Sequence, residues 1–171
     1  MKRFLPAGRV VATHGVRGEV KVYPDCDSSK MFVSFPKLFY DAGGEHEVDV
    51  ESKRVFGRMV LLKISRLDTV EAVRKLINKS LFFDRNDVKL EKGRHFIQDL
   101  LRCRVVDADS GKDYGEIADV TSNGAHDVYH ISMNSGELRF LPVVPEFVVD
   151  IDANDGRKTI KVRPIPGMLE D

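Results

Sequence analysis

The stretch THGVRGEVKV, residues 13–22, sets a histidine, two glycines and an arginine ahead of a strand-like run. Three chemistries could use such a set. A phosphate-cradling P-loop needs GxxxxGK followed by Ser or Thr at the start of a helix, so that amides and a lysine meet the phosphates. GVRG has no such Lys-Ser/Thr and leads into EVKV, where Val20 and Val22 alternate with Glu19 and Lys21. The GxxG clamp of a KH domain joins two helices, whereas both flanks here read as strands. What remains is a tight glycine turn that projects Arg17 outward. Two uses stay open: a turn alone, or a turn whose Arg17, with Arg9 and Lys21 nearby, meets RNA phosphates through charge-assisted bonds.

Histidine and metal chemistry find less support. His14, His46, His95, His126 and His130 are scattered, with no HExxH, HxH or Cys/His knot. A nucleophile needs a base beside it, and a metal needs three or four ligands. Asp25 and Asp27 flank Cys26, but DCDSS lacks the spacing and closing Glu of an EF-hand. No enzymatic activity, cofactor or metal is expected. His95-Phe96 is more pointed, because it follows a charged stretch directly. The pair must pack on a second domain, seal a domain interface or anchor a partner. Packing is the commoner fate, and aromatic anchors are what binding hot spots are made of.

The elements that hold these residues are bounded by composition. The chain has 171 residues, 42% hydrophobic and 32% charged, with ten Phe, four Tyr and no Trp. That is enough apolar material for packed cores, in one domain or two small ones. A net charge of zero hides an asymmetry. Residues 1–90 carry 17 Lys/Arg against 12 Asp/Glu, or +5, and residues 91–171 carry 10 against 15, or −5. Such a split suits a protein with one anionic and one cationic partner; a chance difference between ordinary surfaces gives the same totals. Cys26 and Cys103 form no CxxC pair, MKRFLPAGRV has no signal-peptide pattern, and no apolar run reaches membrane-span length. A reduced, cytoplasmic protein without a membrane partner is expected.

Short strands punctuated by turns fill the first half: GRVVATH (8–14), GEVKVYP (18–24), LFYD (38–41), an alternating run over 46–65 and a closing LFFDRND (81–87). One segment departs from them. In DTVEAVRKLINKS (68–80), Val70, Val73 and Ile77 fall at helical spacing, and Asp68 with Glu71 forms a capping box. The second half reads as about five strands with no helix, including hairpins at Asp109-Ser110-Gly111 and at NSGE. The expected fold is therefore mainly β: two small β-barrels with one short helix in the first. Residues 1–90 form the first domain, 91–98 a linker and 99–171 the second.

Taken together, GRVVATHGVRGEVKVYP, RLDTVEAVRKLINKSLFF and DLLRCRV…DYGEIADVTSNGAHDVYHI…FLPVVPEFVVDID resemble the RimM family of bacterial ribosome maturation factors, across nearly the whole chain and in the family's order. The resemblance implies a translation-factor-like N-terminal barrel and a C-terminal PRC barrel. It implies a non-enzymatic, monomeric assembly factor for the small (30S) subunit. Such a factor assists 16S rRNA maturation and head assembly by binding small-subunit ribosomal protein nineteen and the immature subunit. The family's aromatic pair before its Asp-Leu falls on His95-Phe96, ahead of Asp99-Leu100, and is associated with the ribosomal protein; His95, Phe96 and Asp99 are the candidates for that contact. Arg9, Arg17 and Lys21 are the candidates for RNA. Gly15, Gly18 and Glu19 match the first-barrel turn, and Gly124, Asp127 and Tyr129 a motif of the second. Where the family often has Gly two residues after the Asp-Leu, this chain has Arg102. A general RNA-binding β-barrel module is the alternative.

Overall fold

Alternating apolar and polar residues favour strands, and the apolar phase selects the face each strand buries. The computed structural model describes residues 1–122, 124–154 and 156–170. They fall into two compact units, Lys2–Lys92 and the chain from Gly93 onward.

In the first unit, β1 (Phe4–His14), β2 (Glu19–Pro24), β3 (Val50–Phe56), β4 (Met59–Ile64) and β5 (Ser80–Asp84) form an antiparallel sheet in the order β3-β4-β2-β1-β5. Val22 on β2 lies opposite Val10 on β1 and opposite Val60 on β4. All three are essentially sequestered from water, and burying each valine is worth about 1.5–3 kcal/mol. This stripe fixes the inner face, so the intervening residues of β2 face outward.

Two helices, not one, pack on this sheet. The unexpected one is α1 (Ser29–Ser34), capped by Ser28, whose hydroxyl accepts from the Met31 amide at 3.1 Å. Its Phe32 is buried, and Phe35 just beyond stacks on Phe83 with centroids 4.0 Å apart. The Lys53 ammonium donates to the Phe35 carbonyl and ties the end of the helix to β3. The expected helix is α2 (Val70–Arg74), and it is shorter than its apolar spacing suggested. Its cap is Thr69, which accepts from Ala72 at 3.2 Å. Asp68 is displaced from that role because its carboxylate meets the Lys63 ammonium at 2.7 Å. With the cap moved one residue on, Glu71 no longer stands where a capping box needs it. Residues 38–41 are not a ladder strand either: Phe39 makes only isolated bridges to Glu47 and Phe82. The chain instead winds about the Asp41 carboxylate, which accepts from the Gly43, Glu45 and His46 amides.

The second unit opens with α3 (Ile97–Leu100), a helix of one turn where none was expected. Then come β6 (Arg104–Asp107), β7 (Asp113–Ser122), β8 (Asp127–Met133), β9 (Leu138–Pro142), β10 (Val148–Asp152) and β11 (Thr159–Val162), six strands instead of about five. Their order is β10-β11-β6-β7-β8-β9, with β11 parallel to β6 and the other pairs antiparallel. Cys103, Val105, Ile117, Tyr129, Ile131, Leu141, Ile160 and Val162 build the core, and Leu169 closes it from the tail. The β6–β7 turn is held by Asp107, which accepts from the Asp109 and Ser110 amides at 3.0 and 2.7 Å. Arg102 takes φ 65°, so the position keeps the left-handed backbone that suits glycine despite its long side chain.

Candidate functional site

Residues directly opposite one another on antiparallel strands point to the same side of the sheet. Arg9 on β1 faces Tyr23 on β2; Lys21, two residues before Tyr23, faces Leu61 on β4; Leu61 in turn faces Arg54 on β3. Phe56 is two residues beyond Arg54. The outer face of the first sheet thus gathers Arg9, Lys21 and Arg54 with two aromatic rings. Those rings are open to solvent, Tyr23 by 53% and Phe56 by 46%.

The face is internally ordered. The Lys21 ammonium sits 5.7 Å from the Phe56 centroid, within cation–π range, and the His14 ring tilts against Phe56 at 5.3 Å. Arg54 grips the Glu19 carboxylate at 3.0 and 3.2 Å, which neutralises that acid and leaves the set net positive. Asp25, whose carboxyl is pushed up by burial, is drawn back by Arg9. Exposed cations interleaved with exposed aromatics are the components of a nucleic-acid surface: cations meet phosphates, and rings meet bases.

Of the three arginine and lysine candidates, the structure brings two onto this face. Arg9 and Lys21 share it. Arg17 lies in the exposed turn between β1 and β2, beyond His14, and Arg9 is five residues back along β1, about 17 Å at strand rise. Tyr23 and Phe56 were not singled out from the sequence. The phase of EVKVYP contains the signal for Tyr23, which continues the outward positions of Glu19 and Lys21; Phe56 joins only through the β2–β4–β3 register.

In the second unit, His95 is half-buried, while Phe96 and Asp99 retain only 7% and 9% exposure. Phe96 precedes α3 and its carbonyl accepts from Asp99 at 2.9 Å, and the Asp99 carbonyl accepts from the Cys103 thiol. His95 is therefore the member of the trio that meets solvent. A second exposed patch was not foreseen. Across β7, β8 and β9, Thr121 Oγ1 meets His130 Nε2 at 2.8 Å, and the His130 ring meets Phe140 edge-on at 4.8 Å. Phe140 and Leu138, both about half exposed, lie on β9 at the end of the sheet.

No group of three or more His, Cys, Asp or Glu able to hold a metal occurs among the described residues, and no helix among them is long and apolar enough to cross a membrane.

Comparison with known proteins agrees with the two-unit layout. Residues 5–88 match the RimM N-terminal domain, and residues 97–167 match the RimM PRC barrel domain. A ribosome maturation factor RimM from Clostridium botulinum (strain ATCC 19397) is 40% identical over 96% of each chain. One from Clostridioides difficile (strain 630) is 35% identical over 95% of this chain and 94% of its own. The chain belongs to the RimM family.

A crystal structure of a 16S ribosomal RNA processing protein RimM from Pseudomonas aeruginosa aligns with 93% of this chain and 96% of that one, at 24% identity and TM-score 0.44. The turn at residues 15–18 is a strand connection. Gly15 and Gly18 take φ 60° and 75°, and Gly18 lies hard against the Leu67 carbonyl. The RimM PRC barrel region likewise uses Tyr129 as core and Gly124, at φ 91°, as a turn.

Proposed function

We propose that this chain is a non-enzymatic, cytoplasmic assembly factor for the small ribosomal subunit, acting as a monomer that binds the immature particle and leaves when the head is built. The observation that carries this reading is the outer face of the first sheet, where Arg9, Lys21 and Arg54 surround exposed Tyr23 and Phe56. In a member of the RimM family, the ligand that suits such a face is 16S rRNA. Residues 1–90 form the RNA-facing domain, 91–98 the linker and 99–171 a domain for small-subunit ribosomal protein nineteen. Its acidic balance suits a basic ribosomal protein. His95 makes that contact, with Phe96 and Asp99 fixing its position from within.

Assembly is favoured only to the extent that the factor binds the productive immature state better than competing states. Depleting the protein should accumulate small-subunit precursors with unprocessed 16S rRNA, and the unsubstituted gene should clear them. A variant reversed in charge at Arg9, Arg17 and Lys21 should fail to do so. Full rescue by that variant would overturn the RNA-facing assignment. The same basic face also serves a general RNA-binding module, which predicts steep salt dependence on any RNA and no preference for the immature particle.

A further inference from the structure

We infer that the outer face of the first sheet takes single-stranded RNA by base stacking, with Tyr23 and Phe56 as platforms and Arg9 and Lys21 on the phosphates; this rests on the RNA-facing part of the function proposed above. The register places the two rings. Val22 lies opposite Val60, and Val60 opposite Val55. Tyr23, Met59 and Phe56 stand one residue further along their strands, on the opposite face from those valines, with Phe56 opposite Met59. Two strand spacings separate Tyr23 from Phe56, about 9–10 Å. Neighbouring bases in a helical stack are about 3.4 Å apart, so the rings receive two bases splayed along a single strand. A duplex keeps its base faces covered and offers them nothing.

Exposure and charge agree with this occupant. Tyr23 and Phe56 leave 53% and 46% of their surface open to solvent, and a base stacked on either ring covers part of it. The Lys21 ammonium lies over the Phe56 ring at 5.7 Å and the His14 ring tilts against it at 5.3 Å, so a base stacking there displaces one of them, and a displaced ammonium is within reach of that base's phosphate. Arg9 stands beside Tyr23, and Arg54, two residues before Phe56 on β3, is held by Glu19.

The test uses the full chain, a short labelled oligouridylate, a hairpin duplex and heparin, a polyanion without bases. Tyr23→Ala and Phe56→Ala should each weaken oligouridylate binding by about 5- to 150-fold, the range for losing one base–aromatic stack. The salt slope should stay unchanged because the phosphate contacts remain, and heparin binding should not move. Tyr23→Phe keeps the ring and should restore affinity, which separates stacking from any disturbance of the fold. Because the chain has no Trp, its tyrosine emission should also be quenched by the oligomer, and less so in Tyr23→Phe. Undiminished oligouridylate binding by the double alanine variant, no binding by the unsubstituted protein, or an equal loss on heparin would each overturn the inference. Preferential sedimentation of the unsubstituted protein with immature small subunits is scored separately. If it persists while stacking fails, the assembly function stands; if it fails while stacking holds, only that function falls.

Discussion

Gly18 packs so closely beneath Leu67 that a β-carbon on it would collide with the Leu67 carbonyl oxygen. That carbonyl is also an acceptor for the Lys63 ammonium at 2.9 Å, so the obstacle is held in place. Gly15, at the other end of the same turn, has φ 60° but open space around it. Gly15→Ala should therefore lose about 1–2 kcal/mol, the cost of left-handed backbone alone. Gly18→Ala should lose clearly more, since steric displacement adds to about 1–3 kcal/mol of backbone strain. Urea unfolding of both variants checks this; equal losses would contradict it.

Arg102 gives the opposite expectation. It holds φ 65° while its amide donates to the Ile117 carbonyl at 2.9 Å. Glycine keeps that bond and removes about 1–2 kcal/mol of left-handed strain, against about 0.5–1 kcal/mol of extra backbone entropy lost on folding. Arg102→Gly should stabilise the protein by about 0.5–1 kcal/mol in the same urea assay. A lower midpoint would show that the arginine side chain contributes more than its backbone costs.

Much of this architecture was legible because the strands have an unambiguous phase. Val20 and Val22 point inward, which forces Lys21 and Tyr23 outward, and the hairpin turns carry their own glycines. The short helices were harder for a physical reason. Six residues of α1 and four of α3 make too few turns for a 3.6-residue period to emerge. The cap of α2 moved to Thr69 because Lys63, distant by five residues, claims Asp68; no local pattern reports a tertiary competitor. The site divides in the same way. Arg9 and Lys21 are visible as cations on strands, but Phe56 reaches their face only through a register passing across β4.

Acid should weaken the first unit through Asp41. Hydrogen bonds to its carboxylate, first from the Glu45 amide and then from His46 and Gly43, hold its pKa down to about 2, against an ordinary 3.8. A depressed carboxylate stabilises the fold above its unfolded pKa and loses that contribution as pH falls through its folded value. Stability should thus decline between about pH 4 and pH 2. Asp41→Asn should be less stable near neutrality yet show a shallower decline across that window, read from thermal midpoints against pH. An unchanged slope would remove Asp41 as the cause.

The two thiols should be inert. Burial pushes the Cys26 thiol up to about 12 and raises Cys103 as well, while the reactive form is the thiolate. Iodoacetamide at pH 8 should label neither in the native protein and both after denaturation, as followed by mass. Rapid native labelling of Cys26, which is only partly buried, would contradict its raised pKa.

The assembly reading stands or falls on discrimination between two forms of one particle. The most direct measurement is co-sedimentation of the full chain with immature and mature small subunits at low and moderate salt. The account predicts preferential binding to the immature particle at both salts, weakened by substitution of Arg9, Lys21 and Tyr23 together and, independently, of His95. Equal binding to both particles and to unrelated RNA, lost as salt rises, would contradict it and leave a nonspecific RNA binder.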